Sequence, residues 1–264
     1  MIKKETLSNG ISIEYLDQGE GEVILLLHGL GSTKADWDNQ IQPFSEKFRI
    51  IAPDFRGHGN SSKPLSMKEY GIDLCSEDVK LLLEGLNISE CNVLGFSMGG
   101  AVAFDMAVKY PSLIKKMIIV NTAPDFNNLG WFGKKMVIER TLSLKLKGMN
   151  PLAKKVANGM FPEPHQKKLR EAFYTRAKNN DVRAYYNSFR TLMRWGIGDE
   201  IKNIGIPTLV IASELDYTPV KLKEEYAKKM PDAKVAVVKN SRHGVTMDQP
   251  EEFNKLVLNF LIHE

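Results

Sequence analysis

The order of apolar runs along the chain predicts an α/β protein: a mostly parallel, doubly wound sheet carrying a helical insertion. Three observations predict it. From residue 11 to about 122, short β-branched runs alternate with helix-forming runs, which calls for parallel strands joined by crossover helices. From Pro124 to about Glu200 the strand-like runs vanish, and helical segments are punctuated by Gly148-Met149-Asn150-Pro151 and Phe161-Pro162-Glu163-Pro164. At Ile206 the alternation resumes. The expected organisation is therefore 1–123 and 201–264 as two parts of one core, with 124–200 as the insertion. A chain of 264 residues, 43% apolar and 26% charged, can bury a sizeable core without covalent staples.

Each element has its own local reason. The polar start turns at Asn9-Gly10, a hairpin signal. Val23-Ile24-Leu25-Leu26-Leu27 reads as a buried strand that runs into His28-Gly29-Leu30-Gly31. The strand Phe48-Arg49-Ile50-Ile51 leads to a glycine-rich loop, Asp54-Phe55-Arg56-Gly57-His58-Gly59. Cys91-Asn92-Val93-Leu94 is a short strand, and the helix-forming run 101–108 ends at Tyr110-Pro111. Ile206 through Ala212 is the next strand, with Ser213-Glu214-Leu215-Asp216 at its carboxyl end and Pro219 opening a helix. Lys234-Val235-Ala236-Val237-Val238 is followed by Asn240-Ser241-Arg242-His243-Gly244 and a final helix from Pro250 to Leu261.

Between the strand at 91–94 and the following helix lies Gly95-Phe96-Ser97-Met98-Gly99, a G-x-S-x-G pattern in the strand-turn-helix context that gives it meaning. A serine on so sharp a turn needs neighbours without side chains, and Gly95 and Gly99 meet that need. A serine hydroxyl becomes a nucleophile only when a base takes its proton and an acid fixes the base's tautomer. His243 is the candidate base and Asp216 the candidate acid, with Glu214 as rival. The order Ser97, Asp216, His243 matches one hydrolase fold and differs from the chymotrypsin-like and subtilisin-like orders.

Together the His28-Gly29-Leu30-Gly31 strand end, the D-x-R-G-x-G-x-S loop at 54–61, the serine turn, and the tail from His243 through Asp248-Gln249-Pro250 resemble the α/β-hydrolase fold superfamily along nearly the whole chain. The resemblance implies an eight-stranded sheet with a helical cap inserted after the sixth strand. Within it the chain resembles the capped serine carboxylesterase type, with pimeloyl-carrier-protein methyl esterases and 3-oxoadipate enol-lactonase-like hydrolases. It also implies that the backbone N–H groups of Leu30 and Met98 hold the oxyanion, that the acid just before x-x-Pro is Asp216, and that His28 shapes the oxyanion turn and is not the base. Arg56 and His58 are expected to fix their loop. The implied reaction is cleavage of carboxylic esters through an acyl-enzyme. C–C hydrolysis, lactone opening and perhydrolysis use the same constellation, and a non-catalytic binding module of the same fold is the alternative from another class. Epoxide hydrolase and haloalkane dehalogenase relatives use an aspartate nucleophile, so Ser97 speaks against both.

Charge distinguishes the insertion from the rest. Residues 124–200 hold fifteen basic and seven acidic side chains, a net of +8 in a chain of +4 overall, leaving the remainder at −4. A positive lid could steer an anionic substrate or dock an acidic partner such as acyl carrier protein; a solvated lysine-rich surface is the bland alternative. No nucleic-acid reading motif accompanies the charge. Met149, Met160, Phe161, Phe173, Tyr185, Tyr186, Phe189, Met193 and Trp195 could line an apolar underside, extended by Trp131, Phe132, Met136 and Leu142, so a hydrophobic acyl chain fits better than a sugar. No apolar run approaches the roughly 18 residues of a membrane span, and the start lacks an apolar signal core, so a cytoplasmic location is expected. Cys75 and Cys91 read as reduced core fillers, and no residue cluster calls for a metal or cofactor.

Overall fold

The computed structural model describes residues 1–127 and 130–263, except for the side chain of Phe132. Among the described residues, eight strands form one sheet in the order β1-β2-β4-β3-β5-β6-β7-β8. The strands are β1 (Ile2–Thr6), β2 (Ser12–Gln18), β3 (Val23–Leu27), β4 (Arg49–Pro53), β5 (Cys91–Phe96), β6 (Ile114–Val120), β7 (Thr208–Ser213) and β8 (Ala233–Val238). The β1–β2 and β2–β4 pairs are antiparallel, and every pair from β4 to β8 is parallel. The Asn9-Gly10 turn accounts for the antiparallel β1–β2 pair, because a two-strand hairpin needs no crossover.

Among the described residues, ten α-helices accompany the sheet: α1 (Asp38–Ser45), α2 (Ile72–Gly85), α3 (Met98–Lys109), α4 (Gly130–Lys147), α5 (Met149–Met160), α6 (Lys167–Ala177), α7 (Val182–Leu192), α8 (Val220–Ala227), α9 (Val245–Asp248) and α10 (Pro250–His263). The central strands β3 and β5 are buried along their full length, the pattern of a sheet covered on both faces. One face packs Leu25, Val93 and Ile119 of the strands with Val102 and Phe104 of α3 and Val79 of α2; the other packs Ile118 with Trp37, Phe44 of α1, and Phe253 and Phe260 of α10. Successive residues of a strand point to opposite faces, so Val93 and Leu94 serve different layers.

Helices α4 to α7 leave the sheet after β6 and return to it before β7. They have a core of their own, in which Leu152, Phe161, Phe173, Tyr185 and Phe189 pack with Met247 of α9. Arg176 of α6 also reaches Asp36 at 3.1 Å beneath the insertion. Two expectations about its apolar face need correction. Trp131 is 80% exposed and Leu142 52% exposed, because α4 carries apolar residues on both sides and turns Met136 and Val137 inward instead. Trp195 packs on the sheet core, not under the insertion, and its indole N–H donates to Asp105 at 3.2 Å. The side chain of Phe132 lies outside the described residues. Among the described residues, no helix is long and apolar enough to cross a membrane.

Candidate active site

Parallel strands deliver the loops at their carboxyl ends to one edge of the sheet, where ligand sites of open α/β folds are found. Ser97 follows β5, Asp216 follows β7 and His243 follows β8. These residues lie far apart in sequence, yet His243 Nε2 stands 3.0 Å from Ser97 Oγ and His243 Nδ1 2.6 Å from Asp216 Oδ1. Glu214, the rival acid, is turned away and accepts the Asn240 N–H at 3.0 Å.

Ser97 sits at φ 54° and ψ −116°, a region that a residue with a Cβ occupies at a cost of about 1–3 kcal/mol and that concentrates at functional sites. The glycines make this turn possible. A Cβ on Gly99 would collide with the Leu27 carbonyl oxygen, and one on Gly100 would meet Thr122 at 2.5 Å. Close packing also brings the next loop in: a Cβ on Gly29 would stand 3.4 Å from Ser97 Cβ. Leu30 follows Gly29 in that loop, while Met98 is the first residue of α3, whose leading N–H groups have no partner within the helix.

His28 and His58 hold loops. His28 Nδ1 lies 2.8 Å from the Gly29 carbonyl and its Nε2 accepts the Phe55 N–H at 3.1 Å, which assigns the proton to Nδ1. Burial pulls the His28 imidazole down to about 4 and that of His58 to about 3, so both are neutral near pH 7. Arg56 forms a buried two-pronged pair with Asp78 at 2.5 and 2.6 Å and donates to the Glu69 carbonyl. Cys75 and Cys91 are buried free thiols, and burial pushes Cys91 up to about 12.

Four residues near the site escape sequence reasoning. Lys223 of α8, with a fully buried side chain, places Nζ 2.6 Å from Asp216 Oδ2. Burial opposes the charge on Asp216, but His243 and then Lys223 outweigh it and hold the carboxyl far below the ordinary range. Removing one partner from a buried pair of this kind costs roughly 3–5 kcal/mol. Asn121, at the end of β6, donates to the His243 carbonyl at 3.0 Å. Tyr217 stacks on His243, with ring centroids 4.5 Å apart and planes at 27°. Arg140 of α4 donates to the Tyr185 hydroxyl at 3.2 Å and lies over the Phe189 ring. The Tyr185 ring rests against Gly31, and the Arg140 charge also acts on the Tyr217 hydroxyl. The one local cue is Asn121 itself, since asparagine directly after a strand tolerates the left-handed backbone it adopts at φ 47°.

The eight-stranded sheet, the insertion after β6 and the serine turn define the class: an α/β protein of the hydrolase type. A family model described as the alpha/beta hydrolase fold matches residues 22–250, and the chain belongs to that family. Among curated relatives, a Bacillus subtilis (strain 168) protein provisionally named 2-succinyl-6-hydroxy-2,4-cyclohexadiene-1-carboxylate synthase is 25% identical over 97% of both chains. Epoxide hydrolase 3 of Xenopus tropicalis is 24% identical over 96% of this chain and 75% of its own length. Among solved structures, a hydrolase from Pseudomonas aeruginosa PA01 superposes with a TM-score of 0.89 at 26% identity, covering 99% of this chain and 98% of that one. The enol-lactonase from Burkholderia xenovorans LB400 superposes with a TM-score of 0.90 at 24% identity, covering 98% and 99%.

Proposed function

We propose that this protein is a serine hydrolase that cleaves carboxylic esters of hydrophobic acyl groups through an acyl-enzyme. The observation that carries the reading is the relay Ser97 Oγ to His243 Nε2 to Asp216 Oδ1, at 3.0 and 2.6 Å, built on a strained turn. In this mechanism His243 takes the Ser97 proton as the hydroxyl attacks the carbonyl, and Asp216 holds the imidazole tautomer and stabilises the imidazolium. The N–H groups of Leu30 and Met98 receive the oxyanion; loss of one such donor typically costs about 2.7–4 kcal/mol of barrier. His243 then gives its proton to the leaving alkoxide, and a water molecule attacks the acyl-enzyme by the same route. No cofactor or metal enters these steps. Helices α4 to α7 act as a cap that excludes water and shapes the acyl site.

Arg140 narrows the substrate. Among the described residues no carboxylate pairs with it, yet it donates to Tyr185, which rests against Gly31, and its charge reaches Tyr217, which stacks on His243. A guanidinium in that position suits an ester or lactone that itself carries a carboxylate, in keeping with the carboxylate in the name of the Bacillus subtilis relative and with the enol-lactonase neighbour. Docking of acyl carrier protein on the basic outer face of the cap is the second reading, favoured by exposed Lys134, Lys135, Lys154 and Lys155.

The test is hydrolysis of p-nitrophenyl esters from acetate to laurate, monoesters of dicarboxylic acids, and a carrier-bound acyl methyl ester, by wild type, Ser97→Ala and Arg140→Met. Turnover abolished in Ser97→Ala is expected, and turnover retained there would end the serine-hydrolase reading. Arg140→Met should raise KM for the monoesters and spare the neutral esters. A strong preference for the carrier-bound ester would favour the docking reading.

A further inference from the structure

Lys223 is an unusual neighbour for a catalytic acid. Its side chain is fully buried, and Nζ has three acceptors: Asp216 Oδ2 at 2.6 Å, Thr218 Oγ1 at 2.7 Å and the Thr218 carbonyl at 2.8 Å. Three acceptors match the three N–H bonds of an ammonium group, which can only donate. The Thr218 hydroxyl in turn donates a hydrogen bond to Asp216 Oδ2 at 2.8 Å, while Asp216 Oδ1 faces His243. Orienting the imidazole requires only Oδ1. A hydroxyl or a backbone N–H would satisfy Oδ2 without burying a charge, which is costly even when paired.

We infer that Lys223 is a positioning residue that sets the pH range of catalysis, by sharing the Asp216 carboxylate with His243 and so weakening the pair's hold on a proton. The inference rests on the serine-hydrolase reading. When His243 takes the Ser97 proton, two cations face one carboxylate and repel each other through it. Protonation of the resting Asp216–His243 pair, which blocks base catalysis, is disfavoured for the same reason. The rate rises with pH as that proton leaves, so Lys223 moves the acid limb of the pH–rate profile to lower pH. Other polar groups around the pair differ in kind. Tyr226 of α8 is neutral, and burial raises its hydroxyl further. Tyr217 covers the imidazole face, and Ser97 is the proton donor. Asp248 of α9 is held by Ser241 and the Arg242 N–H, and Glu214 by the Asn240 N–H. Arg242 neighbours His243 in sequence and Arg140 of the insertion acts on Tyr217, but among the described residues Lys223 is the cation in contact with Asp216.

The experiment is the pH dependence of kcat/KM on a p-nitrophenyl ester for wild type, Lys223→Met and Thr218→Val, with Ser97→Ala as control. Lys223→Met should move the midpoint of the acid limb up by about one pH unit, which is about tenfold lower kcat/KM at a fixed pH on that limb. Thr218→Val, a near-isosteric change that loosens the lysine and removes a hydrogen bond to Asp216, should move it the same way by less. A lysine with a purely structural role would lower the plateau and leave the limb in place. An unmoved or downward-moved limb overturns the inference; if Lys223→Met does not fold, the Thr218→Val profile decides by the same criterion. Turnover surviving in Ser97→Ala would instead overturn the underlying serine-hydrolase reading.

Discussion

Asn121 and Ser213 clasp each other across the ends of β6 and β7: Asn121 Nδ2 donates to Ser213 Oγ at 2.7 Å, and the Ser213 N–H donates to Asn121 Oδ1 at 2.9 Å. The same Nδ2 reaches the carbonyls of Arg242 and His243, so one amide ties the acid strand to the histidine loop. Replacing Asn121 by Ala leaves buried groups unpaired, at roughly 1–3 kcal/mol. The expected outcome is a lower denaturation midpoint together with a fall in kcat, read from urea unfolding and steady-state kinetics. A stability loss with kcat intact would show that the His243 loop holds its place without the clasp.

Ser97 combines a positive φ with a Cβ, and the turn around it is walled by backbone. Ser97→Gly should relieve the strain and raise stability by about 1 kcal/mol while removing the proposed nucleophile. Thermal unfolding of Ser97→Gly beside Ser97→Ala checks this. Equal melting temperatures would mean that the turn stores no strain.

Tyr217 is 54% exposed, so its removal should barely affect folding. Its ring nevertheless stacks on His243, and aromatic contacts of this kind are worth about 0.5–1.5 kcal/mol. Tyr217→Ala is expected to keep the wild-type melting temperature and to lose up to about tenfold in kcat/KM, whereas Tyr217→Phe should retain it. A large drop in melting temperature would assign Tyr217 to the fold instead.

Asp17 of β2 accepts two hydrogen bonds from Arg49, each at 2.9 Å, and one from Lys3 at 2.7 Å. The Arg49 hydrogen bond is the largest cause that lowers its carboxyl to about 2. A depressed folded-state value means that the unfolded chain binds the proton first as pH falls. Stability from Asp17 is therefore fully present above the ordinary carboxylate value near 4 and drains away as pH falls toward 2. Asp17→Asn should be less stable than wild type at pH 6, and the gap should narrow by pH 2. Acid titration of unfolding free energy measures it, and a gap independent of pH would remove Asp17 from the account.

Much of the fold was legible because its signals are local. Strand runs, the Asn9-Gly10 turn and the helical stretch between β6 and β7 each follow from neighbouring residues. The serine turn was legible for the same reason, since Gly95, Ser97 and Gly99 meet one steric need within five positions. The rotation of α4 was not: Trp131, Met136 and Leu142 are all apolar, and only the neighbours of that helix decide that Met136 turns inward while the other two stay exposed.

The sequence by itself determined the α/β architecture, the helical insertion, and that Ser97, an acid at 214 or 216 and His243 stand at strand ends, because parallel crossovers send those ends to one edge of the sheet. Only the tertiary structure decided what surrounds them. Lys223 looks like any helical lysine until α8 packs beside Asp216 and removes it from water, and Asn121 reaches His243 across 122 positions of chain. Hydrogen bonds between residues so far apart leave no pattern in the local order of amino acids, because they exist only once the sheet has brought β6, β7 and β8 side by side.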